Sequence, residues 1–183
     1  MPRKSFVELT NELLTSFPDN TTGLITPAGL RAYLTNFLDA IRPAYGIISR
    51  ETANVQSLGL LDTPLIFEVG SVSTVPDYTV TPASGTVTRL AAGTTRLTFT
   101  STIDAAVGRI ITVTLYKNGV ATPWRISATA GGAGKPVDIA LNALQYDAGA
   151  AVYQWQVRAD AASTNTTFSN VDCIAETVPV NAY

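Results

Sequence analysis

The chain has 183 residues, 46% of them hydrophobic and 14% charged, with no histidine, one cysteine and a net charge of −2. That length fits one ordinary domain plus an appendage, and the apolar fraction is enough for a core. Without histidine there is no Ser/His triad and no His-ligated metal; one cysteine excludes an intrachain disulfide; no basic tract or 18-residue apolar window supports nucleic-acid wrapping or a membrane-spanning helix. A surface with so few charges leans on Thr, Ser, Asn, Gln and Ala, as both partner-covered surfaces and stable Thr-rich β proteins do.

The N-terminal run "MPRKSFVELTNELL" begins with charges, but Glu8, Asn11 and Glu12 interrupt any apolar core of a signal peptide. The expectation is cytosolic synthesis. Ser5 and Glu8 have the spacing of a capping box, in which each side chain satisfies the other residue's free backbone N–H. Phe6, Leu9, Leu13 and Phe17 then recur at helical spacing until Pro18. A loop, "DNTTGLI", follows. Thr26-Pro27 is a second helix start, since Thr accepts from the first free N–H groups and Pro suits the first helical position. Leu30, Leu34, Phe37 and Ile41 step by four, three and four, with Tyr33 and Leu38 widening the stripe, and Pro43 ends it. Two short amphipathic helices cannot bury their faces alone. Their partner is each other, the rest of the chain, or another chain.

Residues 46–85 read as an extended connector with short strands, broken by Pro64, Pro76 and Pro82. From residue 86 to 183 the period changes to two. Leu97 and Phe99 alternate with Arg96, Thr98 and Thr100; Ile111, Val113 and Leu115 alternate with Thr112, Thr114 and Tyr116. Asn118-Gly119 is a hairpin signal. Val137, Ile139 and Leu141 mark the next strand. Tyr153, Trp155 and Val157 alternate with Gln154, Gln156 and Arg158, and "TTFSNVDCIAETV" closes the chain. About seven or more strands separated by turns describe an antiparallel sandwich. Trp155 is expected in its core, the alternative being an exposed ring for sugar stacking. Cys173 is expected as a small buried residue with no base to activate it.

Candidate chemistry is sparse. "TAGGAGKPV" fails as a phosphate loop: its first glycine position is Thr129, and Pro136 stands where a magnesium-binding hydroxyl belongs. The acidic residues are dispersed, so nothing marks the paired carboxylates of a glycosidase. Asn20-Thr21-Thr22 and Asn165-Thr166-Thr167 match the glycosylation pattern and are expected as loop residues. No catalytic residue, metal ligand or cofactor site is identified.

The run from Arg109 to Val178, with "LYKNGV" at Leu115 to Val120 and "L-x-x-x-x-G" at Leu144 to Gly149, resembles the tumour-necrosis-factor-like jelly roll of many tailed-phage virion proteins. Members usually carry Gly-Asp before the strand that follows; here it is Gly149-Ala150. The segment Asp19 to Ile41 resembles the N-terminal parts of phage head-fibre, decoration and tail-fibre proteins, which often read "G-x-I-T-P-x-x-L-R"; Gly23, Ile25, Thr26, Pro27, Leu30 and Arg31 stand at those places. The resemblance implies a mainly β jelly-roll sandwich preceded by a two-helix anchor segment over residues 1–45. It also implies a homotrimer without enzymatic activity, cofactor, nucleic-acid or membrane partner. It would be assembled in the host cytoplasm into the virion, against the major capsid protein or another virion protein. The expected role is capsid decoration, cement or head fibre, with Ile25, Leu30, Leu34, Phe37 and Ile41 as candidate anchor residues. A short tail-fibre or receptor-binding module is the alternative, and a carbohydrate-active enzyme a third.

Overall fold

The computed structural model describes residues 8–9, 11–12, 15, 27–41, 44–72 and 77–178; within 27–41 the side chains of 28–37 are described. One helix, α1 (Pro27–Ile41), is described from end to end. It starts at the proline, as the Thr26-Pro27 signal requires. Of the expected first helix, Glu8, Leu9, Asn11, Glu12 and Thr15 are helical and the remainder lies outside the described residues.

Twelve strands follow among the described residues: β1 (Tyr45–Arg50), β2 (Asn54–Leu58), β3 (Thr63–Pro64), β4 (Val69–Val72), β5 (Tyr78–Thr81), β6 (Thr86–Arg89), β7 (Gly93–Ala105), β8 (Ile110–Lys117), β9 (Val120–Thr129), β10 (Val137–Asp147), β11 (Ala151–Ala159) and β12 (Thr164–Val178). They form two antiparallel sheets. The first runs β10-β7-β12-β1-β4, with β2 also on β12; the second runs β5-β6-β11-β8-β9, with β3 also on β11. The chain is thus mainly β, and the sheets face each other as a sandwich.

The core is the inward half of each alternation. Leu97, Phe99 and Ile103 meet Ile111, Val113, Leu115, Tyr153, Trp155 and Val157 across the gap, all at most 1% exposed. Trp155 packs against Phe99 in a tilted pair with ring centroids 4.9 Å apart, and its indole N–H donates to Cys173 Sγ at 2.7 Å. Trp155 and Cys173 therefore lie in the core, as their alternation predicts.

Residues 46–85 do more than connect. β1 pairs with β12 from Tyr45↔Glu176 to Arg50↔Val171, and Ile48, Leu58, Leu65 and Phe67 enter the core. Their strands are too short to show a period: β3 has two residues and β4 four. At Gly70 the two sheets approach so closely that a Cβ would stand 2.6 Å from Val80 Cγ2. Only glycine fits there.

Two local devices set the register. Asn118 and Gly119 turn β8 into β9 with φ of 51° and 77°, the doubly positive pair of a type I′ hairpin. In β12 the inward set is Thr164, Thr166 and Phe168, then Val171, Cys173 and Ala175. The frame slips by one at Asn170 (φ 49°), where the pairing with β7 jumps between Ser169 and Asp172. This is a β-bulge.

One end of the sandwich holds a buried polar cluster. Asp147, 2% exposed, accepts from the Tyr153 hydroxyl and pairs with Lys117 Nζ at 2.5 Å. Beside it Arg89 donates to Thr95 Oγ1 at 2.6 Å and to the carbonyl of Ala91 at 2.7 Å. Burial raises the Tyr153 and Tyr78 hydroxyls above their ordinary range, and for Tyr153 the Asp147 bond adds to it. A charge left in such a place without a partner would be costly, and here each cation finds acceptors.

Candidate functional site

Two surfaces stand out, and the first is the outward face of the first sheet. Its side chains follow directly from the register. Because β7 turns Leu97 and Phe99 inward, Arg96, Thr98, Thr100 and Thr102 point out. Antiparallel pairing then sets them in rows. One row is Leu144–Arg96–Glu176–Tyr45; the next is Asn142–Thr98–Ile174–Ile47; Tyr146–Thr94–Val178 flanks the first. Of their apolar members, Leu144 is 54%, Tyr146 69% and Tyr45 36% exposed, while Ile47, Ile174 and Val178 are half-buried.

The charges on this face are largely answered within it. Arg96 Nη1 lies 2.9 Å from Glu176 Oε1. Thr98 Oγ1 donates to Asn142 Oδ1 at 2.8 Å and Thr102 Oγ1 to Asp138 Oδ1 at 2.6 Å. On β9, the edge strand of the second sheet, Trp124 is 37% exposed. With Arg96, Asn142, Leu144 and Glu176 it lines a shallow cavity of about 500 Å³. Trp, Tyr and Arg around a neutralised centre is the composition of protein–protein contact surfaces. It is poor for catalysis. The cavity carries one carboxylate, Glu176, held by Arg96, where glycoside hydrolysis needs two. Among the described residues no group of three or more Cys, Asp or Glu is placed to hold a metal ion. The glycine-rich loop after β9 leads into strand β10 rather than a helix, and Gly134 N donates to Asp104 Oδ2 at 2.9 Å.

The second surface is on α1. Leu30, Leu34 and Phe37 form one stripe, exposed by 44%, 47% and 37%. Ile41 continues the stripe along the helix, its side chain lying outside the described residues, as does Ile25 altogether. The adjoining face is used differently. Gly29, Tyr33 and Asn36 are half-buried, and Asn36 Nδ2 donates to Glu12 Oε1 at 2.6 Å. Tyr33 and Phe37 stack at 6.4 Å. Glu12 therefore meets α1 at Asn36, while Leu30, Leu34 and Phe37 stay exposed.

The helix stripe was legible as an apolar line. The sheet surface was not singled out from sequence. Its signal was β10, "IALNALQYD", which carries apolar residues on both faces: Ile139, Leu141 and Ala143 on one, Leu144 and Tyr146 on the other. A tryptophan on the exposed side of the edge strand β9 is the second signal.

No protein-family model and no protein of established function matches the sequence. Solved structures match the fold. Murine APRIL at pH 8.0 superposes with a TM-score of 0.55 at 8% identity, over 75% of this chain and all of that one. Murine APRIL at pH 5.0 gives 0.53 at 8% identity over the same shares. Eiger TNF from S. frugiperda gives 0.52 at 13% identity, over 75% and 94%. The sandwich is thus a TNF-like jelly roll, and at these identities the likeness is one of fold.

Proposed function

We propose that the chain is a structural subunit of a tailed-phage virion. It would be a homotrimeric decoration, cement or head-fibre protein, held on the particle by its N-terminal segment with the jelly roll projecting. The observation that carries this reading is the coexistence of two surfaces with exposed apolar side chains, the mixed outward face of the first sheet and the α1 stripe, in a chain only 14% charged. A monomer would leave both in water. Packing the sheet face around a threefold axis covers Leu144, Tyr146 and Tyr45 in three copies at once. The virion role is supported by the likeness of Gly23, Ile25, Thr26, Pro27, Leu30 and Arg31 to phage attachment segments. The non-enzymatic role is supported by the single ion-paired carboxylate of the Trp124 cavity.

Gold-labelled antibody against the β body, applied to intact particles, tests the role. Label spread over the head supports decoration; label on head projections supports a head fibre. Label confined to the tail transfers the reading to a tail-fibre module, and unlabelled particles overturn the virion role.

A further inference from the structure

We infer that the apolar stripe of α1 is the seam of a short parallel three-helix coiled coil formed with the same helix of two other copies, rather than a surface that meets the particle. The inference rests on the trimer proposed above and names the occupant of the stripe.

Three observations support it. The first is spacing. Steps of four, three and four put Leu30 and Phe37 at d and Leu34 and Ile41 at a of a heptad repeat. Of the flanking e and g positions only Arg31 is charged; Tyr33, Leu38 and Ala40 fill the rest. No like-charge repulsion therefore opposes parallel copies beyond that one arginine.

The second is which face is already taken. Gly29 and Asn36 are at c and Tyr33 at g; all three are half-buried, and Glu12 reaches Asn36. The a and d positions Leu30, Leu34 and Phe37 stay exposed. The half-buried side of α1 thus lies beside the seam and not on it.

The third is continuity. Ile41 precedes Tyr45 by four residues, and Tyr45 ends the row Leu144–Arg96–Glu176–Tyr45 on the outward sheet face. If three sheet faces surround an axis, three α1 helices start from beside it. Two heptads are too short to associate alone. Tethering to an assembled body raises their effective concentration to the millimolar range, about what such a short seam needs.

The test uses the full chain with Leu34→Cys, and Ala32→Cys, at the outward f position, as control. The native Cys173 is buried and takes no part. Sedimentation equilibrium and mild oxidation are run on the same samples. A trimer in which Leu34→Cys forms disulfide-linked pairs at least about tenfold faster than Ala32→Cys is the expected result, since at the same tethered concentration only seam residues face their counterparts in the other copies. A trimer in which both variants cross-link equally slowly overturns the coiled coil while leaving the trimer intact. A monomer overturns the trimer and the seam with it.

Discussion

Trp155 has partners on both its ring and its nitrogen, and that fixes what its removal does. Trp155→Ala takes away the ring contact with Phe99 and leaves a large void against Cys173. The expected cost is about 3–5 kcal/mol, read as a lower midpoint in urea with an unchanged slope. Cys173→Ser keeps an acceptor for the indole N–H but buries a hydroxyl, and should cost about 1–2 kcal/mol. The same cluster predicts a pH dependence. Burial pushes the Cys173 thiol up to about 12 from 9.0, and burial together with Asp147 raises Tyr153. Both are acids held neutral in the fold, with folded pKa values above the unfolded ones. Their contribution is therefore whole below about pH 9 and is lost as the pH rises toward the folded values. Thermal melts of the native chain should be flat from about pH 7 to 9 and fall above it. Cys173→Ala and Tyr153→Phe should each flatten the alkaline fall, although each starts lower. An unaltered alkaline limb in both variants would remove these groups as its cause.

At the scale of elements, β12 shows what periodicity conveys and what it hides. Its Cys173 half alternates as read, because Val171, Cys173 and Ala175 all face inward. The bulge at Asn170 is invisible to a count of apolar residues, since it shifts the frame without changing composition. Its only trace in the sequence is an asparagine, a residue that tolerates positive φ. Asn170→Gly should be close to neutral, whereas Asn170→Val should cost about 1–2 kcal/mol in thermal or denaturant unfolding. If the valine variant is as stable as the native chain, the bulge does not depend on that conformation. The hairpin at Asn118-Gly119 lies at the other extreme: two residues of the sequence name the turn, and the turn is there. The short strands of 46–85 fall between. Their residues are read as extended, but pairing with β12 and β11 comes from far along the chain, where no local pattern reports it.

For the whole molecule, the division between arm and body follows from where the core begins. Ile48 is fully buried and β1 is bonded along its length to β12, so the body needs the chain from Ala44 onward. Deleting residues 1–43 should leave a folded sandwich with near-native near-ultraviolet circular dichroism. Deleting residues 1–50 should not, because it strips an internal strand from the first sheet. The sandwich was visible in the alternating runs from residue 86, and its jelly-roll order in the arrangement of "LYKNGV" and the strands after it. The open sheet face was hidden for a physical reason: its row of an ion pair flanked by Leu144 and Tyr45 is made by residues from four strands, Leu144, Arg96, Glu176 and Tyr45, which only the register brings together. That face carries the proposal of self-assembly, and sedimentation equilibrium of the full chain at micromolar concentration, beside Leu144→Asp/Tyr146→Asp, tests it most directly. The native chain should sediment at three times the 19.3 kDa of one chain, and the double variant as a folded monomer. A native chain that sediments as a monomer, or a double variant that remains a trimer, would contradict it.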